Sequence, residues 1–130
     1  MTQEPGSELN LLAEKVIGAA IEVHRQLGPG FLEVTDKRAL VVELRLRGIA
    51  YQEEVPVMLR YKGEPIGEGR IDLLIEGVLI IELKATEPKP DGFRRQVVTY
   101  LKASGLRLGL VINFNTSVLK DGIARAVHSP

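Results

Sequence analysis

Apolar residues at Leu9, Leu12, Val16, Ala20, Val23 and Leu27 recur every three or four positions, the spacing of one buried helical face. The pattern predicts a helix over Leu9–Leu27, with Ser7 placed to cap it and Gly28-Pro29-Gly30 to end it. A second helix is expected from about Phe31 to Arg47, carrying Leu32, Ala39, Leu40, Val42 and Leu46 and closed by Gly48. Beyond it the period shortens. Tyr51 to Tyr61 reads as a strand, Lys62-Gly63-Glu64-Pro65 as a turn, and Ile66 to Ile75 as a second strand. Val78 to Ala85 is the most apolar stretch, hence the expected central strand. Pro88 to Gly92 is a loop, with Asp91 placed to cap a helix from Phe93 to Ser104. After Gly105, Leu106 to Phe114 forms another strand, and Asp121-Gly122 turns the chain into a last one, Ile123 to Val127. The order ααβββαββ predicts an α/β domain with a mixed sheet, the late helix crossing between two parallel neighbours.

Charges interrupt this pattern in one informative place. The apolar hairpin from Gly69 to Ala85 contains Asp72, Glu82 and Lys84. An isolated buried charge is costly, so these need partners, a metal or a functional reason to be there. Side chains alternate along a strand, so Glu82 and Lys84 share a face. A two-residue loop at Glu76-Gly77 would set Asp72 opposite Ile81, away from Glu82. An odd loop, with Gly77 left-handed, brings Asp72 onto Glu82's face, and this is the expected arrangement. Two carboxylates about 5 Å apart repel by roughly 3 kcal/mol at an effective dielectric of about 20. Lys84 offsets part of that, and a divalent cation the rest; hard oxygen ligands with room for water suit magnesium or manganese.

With 17 basic and 17 acidic residues in 130 the formal net charge is zero, so any contact with a polyanion must come from a local patch. The absence of cysteine excludes disulfides and thiolate metal sites and fits a reducing cytoplasm, the expected location. Residues 1–8 are polar and acidic, unlike a signal peptide, and are expected to form a loose tail before a single domain over 9–130. No apolar run is long enough to span a membrane.

An acid, then a second acid and a lysine one residue apart on the next strand, resembles the core signature of the PD-(D/E)xK nuclease superfamily. The signature is short: Glu87-Pro88-Lys89 also carries an acid and a lysine one residue apart, between prolines where no strand could use it. Further stretches resemble the GxxExxY family, a small RecB-like branch of that superfamily. They are Val23-His24-Arg25-Gln26-Leu27-Gly28-Pro29-Gly30-Phe31-Leu32-Glu33, Gln96-Val97-Val98-Thr99-Tyr100-Leu101, Gly109-Leu110-Val111-Ile112-Asn113-Phe114 and Leu119-Lys120-Asp121-Gly122-Ile123. The resemblance covers roughly residues 9 to 127. One position departs from it: the tyrosine expected three residues after Glu33 is Asp36, on the same helical face, where it either adds a ligand oxygen or is solvated.

The resemblance implies a restriction-endonuclease-like fold and metal-dependent hydrolysis of nucleic acid, with DNA the expected substrate. It implies that Asp72 and Glu82 ligate a divalent metal with the backbone carbonyl of Leu83. Lys84 would then position or help deprotonate the attacking water, because a phosphodiester resists neutral water. Glu33, at a helix start where the dipole favours an acid, would reach the metal directly or through water. Gln96 and Tyr100, four apart on one helical face, match the Gln-x-x-x-Tyr pattern of RecB-like nucleases; Gln96 would bond the phosphate or Lys84. His24 reads as a structural hydrogen-bonding residue and His128 as tail. Arg94, Arg95, Lys102 and Arg107 would supply a phosphate-binding edge or a solvated face, whereas Arg25, Arg38, Arg45 and Arg47 alternate with acids as ordinary surface. The rival expectation is a nuclease-fold domain that binds nucleic acid or a protein without cutting, in keeping with zero net charge and the missing tyrosine. A chain this short offers little surface to grip a duplex, and a homodimer would enlarge it.

Overall fold

The computed structural model describes residues 5–87 and 92–130. Helices α1 (Ser7–Leu27) and α2 (Glu33–Leu46) precede strands β1 (Tyr51–Tyr61), β2 (Glu64–Ile75) and β3 (Leu79–Lys84). Helix α3 (Gly92–Ser104) leads to β4 (Leu108–Asn113), and a 3-10 turn at Leu119–Gly122 leads to β5 (Ile123–Val127). The five strands lie side by side in chain order. Among the described residues only β3 and β4 run parallel, as a helical crossover between them requires; the other pairs are antiparallel. This is the mixed α/β sheet expected.

Several boundaries differ from the sequence reading. Helix α1 begins at Ser7, and its N-cap is Gly6, which makes no side-chain capping bond. Ser7 therefore does not cap, and Ser7 and Glu8, expected in the tail, form the first helical turn. Helix α2 starts at Glu33, two residues later than expected, and leaves Phe31 and Leu32 outside it. Strand β2 begins at Glu64, because Lys62 and Gly63 alone make the turn, both left-handed at φ 50° and 84°. The expected cap Asp91 and the Pro88 loop lie outside the described residues.

The sheet separates two halves of the core. On one side α1 and α2 pack Val16, Ala20, Leu40 and Leu44 against Leu73, Ile81, Leu110 and Ile112. On the other, α3 packs Val97, Tyr100 and Leu101 against Val57, Ile71, Ile80 and Val111. Helix α3 lies close because two strand positions lack a side chain. A Cβ at Gly69 would come within 2.4 Å of the Tyr100 ring, and one at Gly109 within 2.4 Å of Val97. Among the described residues no helix is long and apolar enough to cross a membrane.

Candidate active site

The ladder between β2 and β3 is short. It pairs Leu73 with Ile81, Leu74 with Ile80 and Ile75 with Leu79, which leaves a three-residue loop, Glu76-Gly77-Val78. Glu76 and Gly77 are left-handed at φ 50° and 73°. The odd loop sets the register so that Asp72 comes level with Glu82. There the ladder ends, and the Leu83 amide donates to Asp72 Oδ2 at 2.8 Å instead of to a β2 carbonyl. The acid thus replaces a missing rung at a fork in the sheet.

Strand β2 also changes face here. Ile71 packs on the α3 side but Leu73 on the α1–α2 side, although residues two apart in a regular strand share a face. The break falls at Asp72. Its counterpart on β1 is Glu54, between the pairs Glu53–Leu73 and Val55–Ile71, and Glu54 is a left-handed non-glycine at φ 52°. Backbone strain of this kind persists only where its surroundings fix it, as the ion pair from Lys37 Nζ to Glu54 Oε1 at 2.5 Å helps to do here.

Glu82 is buried, and its Oε2 has no hydrogen-bond partner. Burial foremost, then the hydrogen bond and charge of Asp72, push its pKa up to about 9, against a smaller lowering by Lys84. Glu82 and Lys84 share the α3 face with Ile80. The Lys84 ammonium rests 5.0 Å from the centre of the Phe93 ring, in the first turn of α3. Glu33 opens α2 at the rim of the site and is exposed. Its pKa is raised first by burial of part of the side chain and then by the charge of Asp72, which places the two acids within each other's field. Yet among the described residues no three His, Cys, Asp or Glu side chains stand close enough to enclose a metal ion. The close pair is Asp72 and Glu82, with Glu33 farther out.

Gln96 is exposed and donates its side-chain amide to Tyr100 Oη at 3.1 Å, in place of the bond expected with Lys84. The Arg70 backbone amide donates to the same oxygen at 3.4 Å. His24 donates from Nε2 to the Thr116 carbonyl at 2.7 Å, the structural role expected. Asp36 is not solvated. It is buried beside His24, its Oδ1 has no partner, and burial raises its pKa to about 6. Of the basic residues expected to be ordinary surface, Arg25 pairs with Glu22, Arg38 with Glu53 and Arg47 with Glu43, and Arg45 is exposed.

A family model described as the PD-(D/E)XK nuclease superfamily matches residues 10–126. The chain belongs to the PD-(D/E)XK nuclease superfamily. No curated protein matches it. Among solved structures it is similar to one titled "Crystal structure of SSO0001", at 18% identity and a TM-score of 0.45, over 88% of this chain and 66% of that one.

The mixed five-stranded sheet with three helices is consistent with the restriction-endonuclease-like fold of PD-(D/E)XK proteins, whose nucleases generally use divalent metal ions. The residues present fit such an ion. A buried carboxyl oxygen with no donor beside a second carboxylate is an arrangement that a hard cation relieves. Two residues of this candidate site escaped the sequence reading as individuals. In the sequence Phe93 stands out only as the first residue of a predicted helix. Asn113 carried no charge to mark it, yet it is buried and donates to the Thr86 carbonyl at 2.8 Å. It also accepts from the Thr86 amide at 3.3 Å and the Asn115 amide at 3.1 Å, which fixes the chain just beyond Lys84.

Proposed function

We propose that this protein hydrolyses phosphodiester bonds of nucleic acid, DNA foremost, with magnesium or manganese at Asp72 and Glu82. The observation that carries the reading is the partnerless buried oxygen of Glu82 beside Asp72. Those two carboxylates and the Leu83 carbonyl are the groups that would hold the cation. When bound, a divalent cation polarises a phosphodiester oxygen and eases the loss of a proton from water. Once it leaves Phe93, Lys84, on Glu82's face, would steer that water as an ammonium donor, or take up its proton as an amine that has first given its own to solvent. Glu33, standing outside the close pair, acts through water. Tyr100 Oη accepts both of its hydrogen bonds, so its own hydrogen is left to donate to a substrate phosphate, with Gln96 orienting it. The Gln96–Tyr100 pair and Glu33 favour the RecB-like branch and its GxxExxY family, with Asp36 in the tyrosine's place.

A domain that binds nucleic acid without cutting it is favoured by two observations: Lys84 rests on Phe93, and among the described residues no third acid closes on the pair. One set of measurements separates the readings. Melting is followed while magnesium or manganese is added, and plasmid and single-stranded DNA are then assayed for cleavage by wild type and Lys84→Ala. Hydrolysis predicts metal-dependent stabilisation of about 3 kcal/mol at a hundredfold excess over Kd. It also predicts cleavage that falls by ~100-fold or more in Lys84→Ala. Equal DNA binding by both proteins with no cutting by either supports the binding domain instead.

A further inference from the structure

The outer side of α3 carries a basic groove that the chemistry above does not use. Two adjoining depressions, of about 420 and 510 Å³, share Thr99 and Lys102 as lining. Arg94 and Arg95 line the first. Arg60 lines the second, with the exposed side chains of Met58 and Ile66 on the β1–β2 hairpin. Among the described residues no Asp or Glu lines either depression, in a chain with as many acids as bases. The cations were drawn together against the average.

The groove and the candidate site share α3 but lie on opposite faces of it. Arg95 follows Phe93 and precedes Gln96, and each residue turns about 100° around the helix. Phe93 and Tyr100 therefore face the sheet while Arg95, Thr99 and Lys102 look outward. Arg95 and Lys102 are seven residues apart, about 10 Å along the axis. A nucleic-acid strand rises about 3.4 Å per nucleotide, so the two cations span about three nucleotides. Arg107 stands elsewhere, in a hollow shared with Glu8 and Glu76, so the four basic residues grouped by sequence do not form one edge.

We propose that this groove holds the sugar-phosphate backbone of the nucleic-acid strand that flanks the bond to be cut, with Arg95, Lys102 and Arg60 on its phosphates and Met58 and Ile66 beneath its sugars. The proposal deepens the hydrolytic reading and rests on it for the position of the scissile bond. Binding is measured apart from cutting, by the salt dependence of affinity for labelled single-stranded and duplex 20-mers. Lys84→Ala is compared with Lys84→Ala carrying Arg95→Gln and Lys102→Gln, and with Lys84→Ala carrying Arg107→Gln. Loss of two phosphate contacts should flatten the slope of log K against log salt by about 1.4 to 1.8 and weaken binding ~10-fold at moderate salt. The Arg107→Gln protein should match its parent, and all melting temperatures should agree because these side chains are exposed. The strand form that shows the larger flattening is the groove's ligand. An unchanged slope in the double variant, an equal loss in Arg107→Gln, or no binding by any protein overturns the proposal. Wild-type cleavage is assayed in parallel: groove-dependent binding without cutting sinks hydrolysis and spares the groove, and cutting with groove-independent binding does the reverse.

Discussion

Glu82 carries the clearest consequence of burial for a single residue. Its unfolded value is near 4.5 and its folded value is pushed up to about 9, chiefly by burial and then by Asp72. Between those values the folded metal-free protein holds a proton that the unfolded chain has lost. Stability must therefore fall as pH rises through that window and level off below about 4.5. Asp36 adds to the fall between its usual value near 3.8 and about 6. Melting in chelator from pH 5 to 9 should thus show a declining Tm, and Glu82→Gln should flatten most of the decline. Added magnesium should restore more at pH 9 than at pH 6, because a ligand must first lose its proton. A Tm that climbs with pH in chelator would contradict the assigned burial.

At the scale of elements, α3 sits on the sheet through two missing side chains. Gly69→Ala should destabilise by about 1 to 3 kcal/mol in urea, since its Cβ meets the Tyr100 ring. Gly67→Ala, on the same strand with nothing within 4 Å of its Cβ, should change stability by less than ~0.5 kcal/mol. Asn113→Ala should cost about 1 to 3 kcal/mol by removing its two bonds to Thr86 and one to Asn115. By freeing the chain beyond Lys84, it should also lower any cleavage rate more than it lowers affinity. The element order and the parallel crossover were legible because a change of apolar period from helix to strand is written locally. So was the odd loop, because Gly77 marks a left-handed position. Asn113 was not legible as a clamp, nor Gly69 as the seat of Tyr100, because both roles depend on residues about 30 positions away. The burial of Asp36 was not legible for a related reason: helical spacing tells which residues share a face, but not which face the neighbouring helix covers.

Across the whole molecule, the fork between β2 and β3 divides the sheet unequally. The β1–β2 hairpin joins β3 through three residue pairs, whereas β3 and β4 are paired over six. Amides of Val57 and Leu59 should therefore exchange with solvent through smaller openings than those of Leu110 and Ile112, with protection lower by ~10-fold or more. Equal protection in both places would mean that the hairpin moves as one body with the rest. The hairpin bears Arg60, Met58 and Ile66, while its counterpart across the groove, α3, bears Arg95 and Lys102. A polymer seated between them would lash the loose arm to the helix, much as a strap holds a hinge shut. Gripping the cargo and stiffening the frame around the acids would then be one event, and the laden protein should resist mechanical or proteolytic opening that the empty one permits.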